Sequence, residues 1–161
     1  MAALRSAGLL MYRCRDPEPE ILLVHPGGPF WRNKDAGAWS IPKGLYDEDE
    51  EPLAGAQREF EEETGGRADG DFTALGSFRQ AGGKIVTAFA VEGDFDVAAL
   101  RSNTFTIEWP PRSGRQASFP EVDRAEWFSP AAARVKLVKG QVPILDTFLA
   151  QWRANPSLTS S

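Results

Sequence analysis

The apolar residues of the chain are grouped in short runs, which favours a structure rich in strands. Continuous apolar runs or apolar–polar alternation, the two patterns typical of strands, occur over residues 6–13, 21–25, 39–41, 72–80, 84–91, 104–109 and 125–128. The first two runs flank a turn-rich segment, so they predict a β-hairpin. Gly82-Gly83 predicts a second tight hairpin turn, because glycine accepts the positive φ angles that such turns require.

Helices are predicted where apolar residues recur at helical spacing or where terminal signals stand at the right places. A helix over 52–64 is predicted because it starts with proline and a Gly-Gly pair follows it. A second helix begins with Ser129-Pro130 and is expected to end near residue 138. A third, 143–153, has one apolar face formed by Ile144, Leu145, Phe148, Leu149 and Trp152. Strands and helices do not alternate strictly, which favours an α+β fold.

Length and composition are those of one globular domain. The chain has 161 residues, of which 42% are apolar and 25% charged, and this is the size and balance of a protein with a single core. We therefore expect one domain over 1–154, followed by a frayed tail over 155–161.

The acidic charge balance limits the partners to be expected. The net charge is −5 and the pI is about 5.0, which argues against nucleic acid or a membrane surface as partner. Cys14 is the only cysteine in the sequence, so no disulfide can form within the chain. The sequence shows no signal-peptide pattern and no apolar run near the roughly 18 residues of a membrane span. The expected setting is a reducing cytoplasm.

The segment 58–66, REFEEETGG, gathers glutamates at the end of the first predicted helix. Carboxylates are disfavoured there by roughly 0.3–1 kcal/mol each, because a helix C-terminus carries partial negative charge. With a rotation of about 100° per residue, Glu59, Glu62 and Glu63 share an arc of about 100°, whereas Glu61 lies elsewhere and is expected to face solvent. A divalent cation would relieve the repulsion, and hard oxygen ligands indicate magnesium or manganese.

The alternative interpretation is a solvated acidic patch, as most charge runs are. Two features favour the metal site. The acids lie at the unfavourable end of the helix dipole, and a Pro-Lys-Gly segment precedes the helix. That segment offers backbone carbonyls and the cation Lys43, and a metal together with a cation suits a polyphosphate ligand.

The spacing of these residues resembles the signature of the Nudix hydrolase family, G-x5-E-x7-R-E-U-x-E-E-x-G-U, in which U is a bulky aliphatic residue. Residues 44–66 match it at Gly44, Glu50, Arg58, Glu59, Phe60, Glu62, Glu63 and Gly65. Gly66 departs from the pattern at a position that packs against the core in the family. The resemblance implies an α/β/α sandwich around a mixed β-sheet.

The resemblance also implies the cofactor and its ligands. The cofactor would be Mg²⁺ or Mn²⁺, and its ligands would be the Glu59, Glu62 and Glu63 carboxylates and the backbone carbonyl of Gly44.

Further residues would orient these ligands or take part in the reaction. Arg58 and Glu50 would form a charge pair that orients the ligands. The family tends to place another carboxylate before a late strand, for which Glu121 is the best-placed candidate and Asp123 the reserve. The general base would be one of these glutamates. The residues expected to act in catalysis are Arg58, Glu59, Glu62 and Glu121.

The implied reaction is metal-assisted hydrolysis of a pyrophosphate bond in a nucleoside diphosphate linked to another moiety. The segments ALRSAGLLMYR and WSIPKG are similar to the diadenosine polyphosphate hydrolase branch. Substrate contacts would then come from Lys43, Trp31, Arg112 and Arg115. The alternatives are a house-cleaning pyrophosphatase for modified nucleoside triphosphates or nucleotide sugars, an idle nucleotide-sensing module, and RNA 5′-end removal, which the acidic pI disfavours. The family contains monomers and homodimers, and either state is expected.

Overall fold

The computed structural model of the protein describes residues 4–15 and 17–154. The predicted tail, 155–161, lies outside the described residues, and the single domain over 1–154 stays a prediction. Within the described part of the chain, no helix is both long and apolar enough to cross a membrane.

Strands dominate the described residues, as the apolar pattern predicts. The strands are β1 (Arg5–Arg15), β2 (Glu18–Pro26), β3 (Lys43–Leu45), β4 (Phe72–Arg79), β5 (Ile85–Glu92), β6 (Thr104–Glu108), β7 (Gln116–Pro120) and β8 (Val122–Phe128). The helices are α1 (Pro52–Thr64), α2 (Pro130–Lys136) and α3 (Val142–Ala154). Short 3₁₀ turns cover Ala81–Gly83, Val97–Ala99 and Lys139–Gln141.

The central sheet is mixed. Its strand order is β4-β5-β1-β2-β8, and β3 pairs with β1 beside β2. β1 and β5 run parallel, whereas the other pairs of this sheet are antiparallel. β6 and β7 form a separate two-stranded sheet. The predicted α+β fold with a mixed sheet is confirmed.

Strand β1 is buried on both faces, which explains its unbroken apolar run. Its residues alternate between two core clusters, because successive side chains of a strand point to opposite faces. Leu9 belongs to the cluster that contains Phe60 of α1, and Leu10 to the cluster that contains Phe148 of α3. The sheet therefore lies between α1 on one side and α2 and α3 on the other, as the α/β/α resemblance implied.

The strand predicted over 39–41 is wrong. Trp39 and Ser40 form only isolated bridges, because each pairs with a different partner: Trp39 with Leu137 after α2, and Ser40 with Val24 of β2. The N–H of Trp39 donates to the carbonyl oxygen of Lys136 at 2.9 Å. A strand begins four residues later, at β3, where Lys43 pairs with Gly8 of β1.

Strand β7 is missing from the sequence prediction, although its partner β6 is present. The segment QASFP carries few apolar side chains, so it gives a weak strand signal. It is held in place by its register with β6, in which Phe119 lies opposite Phe105. A further difference concerns β8, which begins at Val122 rather than at the predicted Ala125.

Helix α1 begins and ends where the sequence predicts. Gly65 adopts a left-handed conformation with φ of 81°, and its N–H donates to the Glu61 carbonyl at 2.7 Å. Gly66, which departs from the family signature, lies against the ring of Phe95. A Cβ at Gly66 would lie 2.8 Å from Phe95 Cε1, and Phe95 also meets Phe60 edge-on with ring centroids 6.2 Å apart. Phe95 therefore fills the space left by the missing bulky side chain.

This packing predicts that positions 66 and 95 are coupled. Gly66→Val should collide with the Phe95 ring and lower the free energy of unfolding by about 1–3 kcal/mol. Phe95→Ala should open a cavity and lower the free energy of unfolding by about 1–3 kcal/mol. This loss is smaller than that for replacing a fully buried phenylalanine, because Phe95 is only partly buried. The double variant should recover part of the loss, with a coupling of about 0.5–3 kcal/mol measured by urea denaturation. Strictly additive losses would contradict this account.

Candidate functional site

A cleft of about 600 Å³ opens at the end of the sheet where β2 ends and β5 and β8 begin. Its polar and charged wall residues are Ser40, Lys43, Glu63, Gln80, Lys84, Glu121, Lys139 and Gln141. Its apolar wall residues include Val24, Pro26, Trp31, Ala38, Val122 and Val138. Because β8 and β4 stand at opposite ends of the sheet order, Glu121 and Gln80 bound the cleft on opposite sides.

Arg58 connects the loop before α1 to the carboxylates on α1. Its Nε and Nη2 donate to the two carboxylate oxygens of Glu50, each at 3.0 Å, and Nη2 also donates to the Leu45 carbonyl at 3.0 Å. Its Nη1 donates to Glu59 at 2.8 Å and to both oxygens of Glu62 at 3.2 Å. The bond to Glu50, ahead of those to Glu59 and Glu62, raises the pKa of Arg58, so the guanidinium stays charged.

The Glu59 side chain is buried against the backbone of Gly44 in β3. Only 8% of Glu59 is exposed, and this burial raises the pKa of its carboxyl, while the bond from Arg58 opposes the shift. A Cβ at Gly44 would overlap the Glu59 carboxylate, so a side chain at this position would displace the end of Glu59. The close approach places the backbone of β3 directly beside a carboxylate of α1.

Glu63 lies on the wall of the cleft and is tied to the same strand. Its Oε1 accepts a hydrogen bond from the backbone N–H of Lys43 at 3.1 Å. Burial raises the pKa of Glu63 to about 8, and the negative charges of Glu59 and Glu121 act in the same direction. Lys43 opposes the shift through its N–H and its charge.

Glu121, between β7 and β8, lies near the carboxylates of α1 although it is far from them in sequence. Its backbone is fixed on both sides, since its N–H donates to Asn103 at 2.8 Å and its carbonyl accepts from Gly27 at 2.9 Å. Burial is the largest cause that raises the pKa of Glu59 and Glu63, and the negative charge of Glu121 is a smaller one that acts in the same direction. The structure therefore brings the best-placed late carboxylate beside the α1 glutamates.

The reserve candidate, Asp123, has a different neighbour. It lies 2.8 Å from Nδ1 of His25, a fully buried side chain whose Nε2 lies 2.6 Å from the Lys34 carbonyl. His25 thus joins β8 to the loop that follows β2. This arrangement indicates a structural role for both residues.

The oxygen donors around Gly44 suit a hard divalent cation. They comprise carboxylates and the nearby backbone, and no His or Cys side chain joins them. Residues 4–15 and 17–154 contain no ready-made cluster of three or more His, Cys, Asp or Glu side chains spaced to hold a metal. Arg58 Nη1 lies between Glu59 and Glu62 and pairs with both carboxylates. The metal role of Gly44, Glu59, Glu62 and Glu63 stays a prediction.

The predicted substrate residues separate into two groups. Lys43 and Trp31 lie on the cleft wall, and Trp31 is 40% exposed. Arg112 and Arg115 lie in the turn between β6 and β7, and neither belongs to the lining of this cleft. Arg112 has φ of 61° there, and its N–H donates to Glu108 at 2.9 Å. The substrate contacts predicted for Arg112 and Arg115 therefore lie outside this cleft and stay a prediction.

Sequence reasoning missed one wall of the cleft, which is formed by Gln80, Lys84, Lys139 and Gln141. Gln141 is fully buried, where its Oε1 accepts from the Ile41 N–H at 3.0 Å and its Nε2 donates to Ser40 at 2.9 Å. One sequence signal was available for the others. Gln80 precedes and Lys84 follows the predicted Gly82-Gly83 turn, and a hairpin there brings the two residues close together.

Comparisons with known proteins agree with the signature. A family model described as the NUDIX domain matches residues 3–149. Nudix hydrolase 10 of Arabidopsis thaliana is 36% identical over 92 residues, which cover 57% of this chain and 28% of that protein. The chain therefore matches less than a third of the length of this curated relative.

Solved structures share the fold. An Ap4A hydrolase binary complex from C. elegans has a TM-score of 0.64 at 21% identity, covering 95% of this chain and 100% of that one. The NUDIX domain of Shewanella oneidensis NrtR, complexed with ADP ribose, has a TM-score of 0.65 at 19% identity, covering 96% of this chain and 90% of that one. At these identities the likeness concerns the fold alone.

The raised pKa of Glu63 predicts a pH-dependent stability in the metal-free protein. A carboxyl whose pKa rises from 4.5 in the unfolded chain to about 8 in the folded protein stabilises the fold most below pH 4.5. That contribution is lost as the pH rises through about 8, because the buried carboxylate must then ionise. Thermal unfolding in EDTA between about pH 5 and 9 should show a steeper decline for the wild type than for Glu63→Gln. Parallel curves would show that Glu63 ionises normally.

Proposed function

The chain belongs to the NUDIX domain family. From this premise we propose that it is a divalent-metal-dependent pyrophosphohydrolase that acts on a nucleoside diphosphate linked to another moiety. One observation carries the proposal. Glu63, Glu121 and Lys43 line the same cleft, the Glu59 carboxylate lies against Gly44 next to Lys43, and Arg58 bonds to both Glu59 and Glu62.

The residues have separate roles in this proposal. Glu59, Glu62 and Glu63, with the Gly44 carbonyl, would hold the cation, which when bound neutralises phosphate charge and makes water more acidic. Arg58 would offset the repulsion between the Glu59 and Glu62 carboxylates and orient them by donating to both. The general base is one of the two glutamates on the cleft wall, Glu63 or Glu121, because both face the space that substrate would enter.

For the substrate we propose a diadenosine polyphosphate. The cleft volume of about 600 Å³ lies within the range of small-ligand sites, roughly 300–1,000 Å³. Lys43 on its wall suits a phosphate beyond the attacked bond, and the exposed ring of Trp31 suits stacking on adenine. The C. elegans Ap4A hydrolase supports the fold of such an enzyme. We also propose that the protein acts in the cytoplasm, as a monomer or a homodimer.

A substrate panel tests this assignment. Diadenosine polyphosphates, modified nucleoside triphosphates and nucleotide sugars are assayed with magnesium or manganese. The proposal expects the highest kcat/KM for a diadenosine polyphosphate and no turnover in EDTA. Highest activity on a nucleotide sugar or a modified triphosphate would support the house-cleaning alternative instead. Nucleotide binding without hydrolysis of any compound would support a sensing module.

Charge removal at the acidic helix should separate catalytic glutamates from solvated ones. Glu62→Gln and Glu63→Gln should each lower kcat by orders of magnitude, roughly 10²-fold or more, because a charged ligand of the cation becomes neutral. Glu61→Gln is the matched control, since Glu61 lies on the same helix but is exposed. Circular dichroism should show all three variants folded. An unchanged rate in the position 62 or 63 variant would remove that residue from the metal site.

The role assigned to Lys43 predicts a dependence on phosphate chain length. Lys43→Met should raise KM most for the substrates with the longest phosphate chains, because its ammonium contacts a phosphate beyond the attacked bond. Steady-state kinetics on diadenosine tri-, tetra- and pentaphosphate measure this trend. An equal loss on all three substrates would assign Lys43 a structural role.

A further inference from the structure

We infer that Ser102 is a positioning residue, whose hydroxyl holds Glu121 at a fixed place relative to the glutamates of α1. This role rests on the proposed function, and it assigns the general base of the reaction to Glu121 rather than to Glu63. It deepens that function by naming the side chain that keeps the base beside the α1 carboxylates.

Glu121 is the single residue between two strands, since β7 ends at Pro120 and β8 begins at Val122. β8 is the last strand in the sheet order, and β2 is its neighbour there. On the side of β2, the N–H of Gly27 donates to the Glu121 carbonyl at 2.9 Å. Pro26, the residue of β2 opposite Val122, has no N–H to donate. The start of β8 therefore needs further hydrogen-bond partners from outside β2.

The side chain of Ser102 supplies these partners. Its Oγ accepts a hydrogen bond from the Val122 N–H at 3.2 Å and donates to the Val122 carbonyl at 3.1 Å. The Asn103 carbonyl, at 2.9 Å, shares the same hydroxyl hydrogen. Val122 is buried, and a buried backbone group that loses its partner is costly. One hydroxyl thus serves both backbone groups of the residue that directly follows Glu121.

The backbone on either side of Ser102 is attached to the end of α1. The N–H of Arg101 donates to the Thr64 carbonyl, and the N–H of Asn103 donates to the Glu62 carbonyl, each at 2.8 Å. The last carbonyls of a helix have no partner within the helix, so these two bonds satisfy them. Ser102 is thereby fixed to the turn of α1 that carries Glu62.

Glu121 is joined to this capped helix end by two links. Its own N–H donates to the Asn103 carbonyl at 2.8 Å, and the residue after it is held by Ser102. Glu121 and Glu63 both line the cleft, so the separation of these carboxylates depends on the links. A general base must lie within hydrogen-bond reach of the water that it activates, and a displacement of about 1 Å can cost roughly 10²-fold in rate. Loss of the Ser102 hydroxyl should therefore slow the reaction without removing any reacting group.

Amide hydrogen exchange, measured by NMR in the metal-free protein, tests the links without substrate. Ser102→Ala should speed exchange at the Val122 and Glu121 amides about five- to ten-fold, because loss of a hydrogen bond lets the start of β8 open more often. Ser102→Thr keeps the hydroxyl and should restore the slow exchange. Ser118→Ala is the matched control, because the Ser118 hydroxyl pairs with Thr106 on an exposed face of β6 and β7. Unchanged exchange of the Glu121 amide in Ser102→Ala, or an equal change in Ser118→Ala, would overturn the role.

Steady-state kinetics with magnesium measure the effect on the reaction. Ser102→Ala should lower kcat about ten-fold or more with little change in KM, because Ser102 lies outside the cleft lining and acts on the base rather than on the substrate. Ser102→Thr should recover most of the lost kcat, and Ser118→Ala should match the wild type. A rise in KM larger than the fall in kcat, or a threonine variant as slow as the alanine variant, would overturn the role.

A double variant shows whether Ser102 acts through Glu121. Glu121→Gln removes the base, so the addition of Ser102→Ala should lower kcat no further. A second loss as large as that in Ser102→Ala alone would overturn the role, and so would an unchanged kcat in Glu121→Gln. If the wild type hydrolyses no pyrophosphate while Ser102→Ala still speeds exchange of the Glu121 amide, the positioning of Glu121 stands and the proposed function fails.

Discussion

The Arg58 guanidinium is the interaction on which the arrangement of this site depends. Four partners converge on it: the Leu45 carbonyl at the end of β3, Glu50 in the loop that follows, and Glu59 and Glu62 on α1. Without that positive charge, neighbouring carboxylates near the negative end of a helix dipole would repel one another. A planar group with donors in a fixed fork can join several carboxylates at once, which a lysine cannot do. The loop and the helix are thereby held as one unit.

The sheet determines where that unit can act. Strand β1 is buried on both faces, and α1 packs on one of them with Phe60 in the core. This packing places Glu59, the neighbour of Phe60 on α1, against Gly44 of β3. The antiparallel pairing of β3 with β1 fixes Gly44 beside Glu59. The absence of a side chain at Gly44 therefore leaves the room that the Glu59 carboxylate occupies beside the strand. A single substitution there would push the carboxylate away from the strand.

The cleft combines two kinds of electrostatic environment. On one side, burial raises the pKa of Glu59 and Glu63, because it disfavours the charged form of a carboxyl group. On the other side, lysines face the space without counter-charges from the described residues. A ligand that carries negative charge and also recruits a divalent cation would relieve both sides. A polyphosphate with its cation is such a ligand, and this is why the geometry favours it.

The sequence by itself determined what depends on local signals. Helix α1, from Pro52 to the glycine cap, follows from residues within a few positions of one another, and so do the two hairpins and the spacing of the α1 glutamates. Only the tertiary structure decided what depends on distant partners. β3 forms because β1 offers an edge to pair with, and β7 forms because β6 does. The ring of Phe95 occupies the space beside Gly66, twenty-nine residues earlier in the chain, where the family signature has a bulky side chain. The wall formed by Gln80 and Lys139 follows the same rule, since chain folding brings these residues together and no short sequence pattern encodes their contact.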